Sequence, residues 1–185
     1  MEFPFVFENI SNQEDLQKII AYLDSNNKDF GELSETDYWK GRTLFYHDIK
    51  DECIKKIMIT SLSRIIDVLQ QNIDSKIYCE HFSISKWPTG YDLQPHADAE
   101  NPPDCPDHLY PWRDFGCVTF LNEDFDGGIL YYPNKNIEIK PKAGYSAVHL
   151  GSMECLHGVT KITSGKRYTI SSFLTYDESK KGVDI

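Results

Sequence analysis

The chain lacks the short motifs of several common chemistries. It has no Gly-x-Ser-x-Gly elbow, no P-loop and no Gly-x-Gly-x-x-Gly, so hydrolase, NTPase and dinucleotide-binding readings have no starting residue. No apolar run approaches membrane-spanning length, and the Met-Glu-Phe-Pro-Phe start lacks the basic segment and apolar core of a signal peptide. The cysteines (Cys53, Cys79, Cys105, Cys117, Cys155) are odd in number and include no Cys-x-x-Cys pair. That pattern suits free thiols in a reducing compartment, so a cytoplasmic location is expected and the Asn9-Ile10-Ser11 sequon has no use. Positive charge is scarce: 19 Lys and Arg against 29 Asp and Glu leave a net charge of −10. Nucleic acid binding normally recruits cations to neutralise phosphates, so the acidic balance argues against DNA or RNA as a partner, and without a membrane-length run no membrane partner is expected. The Lys135, Lys140, Lys142, Lys161, Lys166 and Arg167 cluster reads as a solvated sheet face.

What is present is a globular composition, 40% hydrophobic and 13% aromatic, over 185 residues. That length suits one domain burying about 70% of its unfolded surface. A first strand is expected over residues 3–10. Ser11-Asn12-Gln13-Glu14 has the form of a capping box, followed by Leu16, Ile19, Ile20 and Leu23 at helical spacing. A polar, acidic connection over 26–39 ends in an aromatic cluster, Tyr38, Trp39, Phe45 and Tyr46. A second helix, about 51–71, repeats the period through Ile54, Ile57, Met58, Leu62, Ile65, Ile66 and Leu69. From Lys76 onward the period shortens to alternation. Runs at 77–87, 117–121, 129–132, 137–139, 145–150 and 168–176 are separated by Gly, Pro, Asn and Asp, which predicts short strands in a sandwich or barrel.

The chemistry centres on Gln94-Pro95-His96-Ala97-Asp98-Ala99-Glu100. On a strand, positions two apart face one side, so the His96 imidazole and the Asp98 carboxylate can converge on a metal ion. His157, in Leu156-His157-Gly158-Val159, supplies a third ligand at long range. Two histidines and one carboxylate with open positions is the geometry associated with non-haem Fe(II) oxygenases. Arg167 follows ten positions after His157, on a strand-like run whose same face holds Thr169 and Ser171.

With these residues in place, the sequence resembles the Fe(II)- and 2-oxoglutarate-dependent dioxygenases, in their prolyl 4-hydroxylase-like branch. That branch carries His-x-Asp, a distal His, and an Arg or Lys about ten residues later. Asp126-Gly127-Gly128-Ile129-Leu130-Tyr131-Tyr132-Pro133 resembles its Gly-Gly hairpin, and Trp87-Pro88-Thr89-Gly90 stands where it usually has Tyr-Pro-x-Gly. The resemblance implies a mostly β fold with flanking helices, a double-stranded β-helix (jelly roll) braced by two N-terminal α-helices. It sets the brace at about 11–72 and the core at about 76–176 of a single domain, 1–185. It implies Fe(II) on His96, Asp98 and His157, with 2-oxoglutarate and O2 as cosubstrates and ascorbate as a reductant. Arg167 would bind the remote carboxylate of 2-oxoglutarate, helped by Thr169 and Ser171. At Trp87 the family's tyrosine is replaced, and an indole N–H donates but cannot accept. Phe120 stands where some relatives use a second tyrosine. The implied substrate is a peptidyl proline.

A small-molecule or free amino-acid hydroxylase on the same scaffold, and a non-catalytic metal-binding jelly-roll module, remain alternatives; the oligomeric state stays open. His47, His81, His108 and His149 read as structural or surface histidines, and of these His149 alone is considered as a competing metal ligand. The Pro-rich stretch 101–112 follows directly on Asp98, so Tyr110 and Trp112, with Tyr38 and Trp39, are candidate edges of a peptide groove.

Overall fold

The computed structural model describes residues 2–26, 30, 39 and 41–185. A short strand, β1 (Phe5–Phe7), leads into helix α1 (Gln13–Ser25). Strand β1 is shorter than expected because Asn9 turns the chain with φ of 55°. The α1 cap also sits one residue later than the capping box suggests: Asn12 Oδ1 accepts from the Asp15 N–H at 2.9 Å. Ser11 is instead buried, and its hydroxyl meets that of Ser61 on the second helix. Helix α2 (Glu52–Gln70) is capped by Asp51, which accepts from Cys53 and Ile54 N–H. Its buried face is the periodic set expected, from Ile54 to Leu69.

The strands are β2 (Thr43–Phe45), β3 (Tyr78–Pro88), β4 (Leu93–His96), β5 (Phe115–Phe120), β6 (Leu130–Tyr132), β7 (Ile137–Ile139), β8 (Ser146–Leu150), β9 (His157–Val159) and β10 (Lys166–Thr175). They form a six-stranded sheet in the order β1-β8-β5-β10-β3-β2 and a four-stranded sheet in the order β4-β9-β6-β7. Every paired neighbour is antiparallel. The mostly β, helix-braced architecture is the one anticipated. Strands β2 and β4 were not anticipated as separate elements.

Alternation along the central strands decides which chemistry faces where. On β10, Tyr168, Ile170 and Leu174 join α1 and α2 in one hydrophobic cluster, while Arg167, Thr169, Ser171 and Phe173 line a cavity on the opposite face. On β3, Phe82 and Ile84 go to the helices, and His81, Ser83, Ser85 and Trp87 to the cavity. Cys79 also reaches the helix side, out of phase with its neighbours, because the β3–β10 register shifts between Phe173 and Leu174. A second cluster, including Trp87, Phe120, Leu130 and Tyr132, fills the space near the smaller sheet. Among the described residues, no helix is long and apolar enough to cross a membrane.

Because the helices touch only the outer face, damage there should cost stability without touching the cavity. Leu62 is 1% exposed on α2. Leu62→Ala is expected to destabilise the protein by about 3 kcal/mol in urea unfolding. A loss well under 1 kcal/mol would mean that α2 is not a structural brace.

Candidate metal centre

Strand β4 ends at His96, and β9 begins at His157; the two are direct partners across the β4–β9 ladder. Their ring centroids are 4.5 Å apart. Asp98 lies beyond the end of β4, in a bend, so it is not presented by strand alternation as the sequence suggests. The chain folds its carboxylate back against the pair: Oδ1 lies 3.6 Å from His96 Nε2 and 3.9 Å from His157 Nε2. One donor atom from each residue falls within 4.8 Å of the others. A divalent cation taking all three as ligands fits such a set.

The protonation states suit that role. Nδ1 of His96 and of His157 each lies 3.0 Å from a backbone carbonyl, of Gln94 and Cys155 respectively. A carbonyl can only accept, so a neutral ring in this setting carries its proton on Nδ1 and has the Nε2 lone pair free to ligate. Burial pushes the His157 pKa down to about 3, which keeps the ring neutral. Burial alone would raise that of Asp98, but a hydrogen bond from His149 and the surrounding imidazoles hold it below the ordinary carboxylate range. A carboxylate and neutral imidazoles are the ligand-ready forms.

The group opens into a cavity of about 340 Å³ between the two sheets. Arg167, at 1% exposure, lies in its wall. Its guanidinium carbon is 5.1 Å from the Trp87 ring centre and 5.4 Å from that of Phe120, so the cation is held between two aromatic faces. Gly128, with φ of 63°, makes room for this side chain: a Cβ there would fall 2.9 Å from Arg167 Cδ and 2.7 Å from Phe125. The Gly-Gly pair therefore serves the arginine and the strand crossing, since a Cβ on Gly127 would meet the Lys161 carbonyl at 2.0 Å. Thr169 and Ser171 line the cavity beside Arg167, and Trp87 is buried there at 4% exposure.

The candidate rim residues divide. Trp39 lines the cavity, 41% exposed and edge-on to Trp87 at 5.7 Å; Tyr110 lines it as well. Trp112 does not: its ring lies under Lys180 Nζ at 3.9 Å and edge-on to Tyr110 at 5.9 Å, so it braces the loop. The turn closed by the Arg113 N–H on the Tyr110 carbonyl separates the two aromatics. Tyr38 lies outside the described residues.

Several lining residues escaped the sequence reading. Phe173 continues the Arg167, Thr169, Ser171 face by one further step of two, a signal that was available. Arg113 is clamped between the Tyr110 and Phe173 rings, 3.8 Å from each centre, and paired with Glu80. His81 sits between Phe45 and Phe173, with its pKa lowered by burial. Their roles depend on tertiary contacts and have no local signature. His149 is not one of the three converging ligands. It hydrogen-bonds the outer oxygen of Asp98 instead.

No family model matches the chain. Over 73 residues it is 32% identical to prolyl 3-hydroxylase 1 of Gallus gallus and 33% identical to that of Homo sapiens. Each match takes in 37% of this chain and spans 10% of the relative's length. Among solved structures, it superposes on the viral collagen prolyl hydroxylase of Paramecium bursaria Chlorella virus-1, solved as a 2-oxoglutarate complex, with a TM-score of 0.73 at 14% identity. That superposition covers 96% of this chain and 97% of the other. A Pseudomonas putida prolyl-4-hydroxylase follows at a TM-score of 0.69 and 16% identity, covering 94% and 92%. With its paired sheets, helical brace and His-Asp-His group, the chain has the double-stranded β-helix fold of the prolyl hydroxylases.

Proposed function

We propose that the chain is an Fe(II)- and 2-oxoglutarate-dependent hydroxylase of peptidyl proline. One observation carries this reading: a buried guanidinium, that of Arg167, faces the same cavity as the His96, Asp98 and His157 donor atoms. A cosubstrate with a chelating keto acid at one end and a carboxylate at the other suits that pairing. The alternative of a metal-holding module without catalysis has no use for the buried cation.

In this reading His96, Asp98 and His157 hold the iron. When bound with 2-oxoglutarate and O2, the iron supplies oxidative decarboxylation to succinate and CO2 and hydroxylation of a nearby C–H bond. The protein's own residues do the rest. Arg167 offers a planar pair of N–H donors to the remote carboxylate, and the Thr169 and Ser171 hydroxyls stand on the same strand face to add to it. Trp87 and Phe120 exclude water from the guanidinium and so strengthen its attraction for an anion. Trp87 takes this part by its aromatic face, which replaces the hydroxyl contact a tyrosine makes. Trp39, Tyr110 and Phe45 stand around the opening as flat apolar surfaces for an extended Pro-containing peptide. Ascorbate would serve to restore Fe(II), and the free thiols and acidic balance suit a cytoplasmic enzyme with no nucleic acid partner.

Three outcomes are expected. Succinate should form from 2-oxoglutarate with Fe(II), and faster when a Pro-containing peptide is added; amino-acid analysis of the peptide then separates 3- from 4-hydroxyproline. Turnover of free proline with none on peptides would instead support the small-molecule reading. Arg167→Ala should raise the KM for 2-oxoglutarate about 100-fold, the effect of losing one buried charge-assisted pair; an unchanged KM would move the role to Lys161 or Lys166. Tyr110→Ala should impair peptide hydroxylation while leaving peptide-independent 2-oxoglutarate turnover intact, and Trp112→Ala should do the same more weakly, through Tyr110. Equal losses in both activities for Tyr110→Ala would remove the peptide groove from this rim.

A further inference from the structure

His149 stands on β8 at 1% exposure, deeper than any of the three converging ligands. Its Nε2 lies 3.0 Å from Oδ2 of Asp98, and its Nδ1 lies 2.9 Å from the hydroxyl of Tyr132, which is itself fully buried. The ring also rests against that of His157, with centroids 4.0 Å apart. The two oxygens of Asp98 are thus divided. Oδ1 turns toward Nε2 of His96 and His157, and Oδ2 turns away to His149.

We propose that His149 is a positioning residue that keeps Asp98 a one-oxygen metal ligand, by holding Oδ2 out of reach of the ion. A carboxylate can only accept a hydrogen bond, so the pairing needs the His149 proton on Nε2. The Tyr132 hydroxyl selects that tautomer by donating to Nδ1. A carboxylate that ligated through both oxygens would take a further coordination position, at the expense of the cosubstrate or O2.

Backbone geometry reserves the space for this contact. Gly116 on β5 is the direct ladder partner of His149. A Cβ at Gly116 would fall 2.2 Å from Asp98 Oδ2 and 2.3 Å from His149 Nε2, so any larger residue would split the pair. His149 therefore does not stand as a competing ligand: its Nε2 is engaged by the carboxylate.

The inference rests on the metal-binding reading, and Mn(II) tests the two separately. Its affinity is measured by EPR titration, and the number of waters left on the bound ion by water-proton relaxation. His149→Phe keeps the ring's bulk without the donor, whereas His149→Gln places an amide N–H at a similar reach. His149→Phe is expected to weaken Mn(II) binding about 10- to 100-fold, as loss of an outer partner of a metal ligand does. It should also lower the relaxivity per bound ion, because the freed Oδ2 displaces a water. His149→Gln should stay near wild type in both. Should His149→Phe not fold, Tyr132→Phe, which loses only the hydroxyl that sets the tautomer, is expected to move both readings in the same direction. Failure of the wild type to bind Mn(II) would sink the metal reading itself. A wild type that binds, with a folded His149→Phe unchanged in both readings, would overturn the role of His149 alone. So would a His149→Gln as impaired as His149→Phe, or, where His149→Phe does not fold, a Tyr132→Phe unchanged in both.

Discussion

Burying the Asp98 carboxylate is the constraint on which the rest of this architecture depends. Removing such a group from water costs several kcal/mol unless it is paired and hydrogen-bonded. Here it is 6% exposed and faces three imidazoles. Only one of these, His149, makes a hydrogen bond to it; the other two turn toward it nitrogens whose protons lie on the far side of the ring. Two lone pairs and a negative oxygen aimed at one point repel one another, and a divalent cation resolves that repulsion. The three residues thus form a donor set that suits a divalent cation.

The two sheets divide the labour. The smaller one carries His96 and His157 as a cross-strand pair. The larger one carries Arg167, Thr169, Ser171 and His149, with the helices bracing its far face. The Arg167 guanidinium and the His96–His157 pair therefore stand on opposing walls of one cavity, and the separation between them is set by how the sheets pack. Glycines mark the closest approaches: Gly128 beside Arg167, and Gly116 beside the Asp98–His149 contact. Each is required for the volume it leaves empty.

Much of this was legible in the chain. The helices were, because Leu16, Ile19 and Leu23, and the longer set from Ile54 to Leu69, repeat at 3.6. The His96, Asp98, His157 and Arg167 set was, through the family resemblance that the His-x-Asp, the distal His and the Arg ten residues later carry, and the fold brings all four to one cavity. Boundaries were less so: Ser11 and Asn12 are both good caps, and the choice fell to Asn12 because the Ser11 hydroxyl is buried against Ser61. Strand β4 is too short to show a period, and Asp98 reaches the site through a bend that follows it. Tyr110 and Trp112 stand two apart, yet a turn sends one to the cavity and the other to Lys180. The part played by His149 depends on Asp98, 51 positions away, and on Gly116 across the ladder, so no local pattern announces it.

In the proposed enzyme one Fe(II) and one 2-oxoglutarate occupy this cavity together, between the His-Asp-His group and Arg167. Anaerobic titration of the protein with Fe(II) and 2-oxoglutarate tests it most directly, because a keto acid chelated to Fe(II) absorbs visible light by charge transfer. The absorption is expected to saturate at one Fe(II) per chain and to be lost in His157→Ala. An absent band, or one that persists unchanged in His157→Ala, would contradict that occupancy.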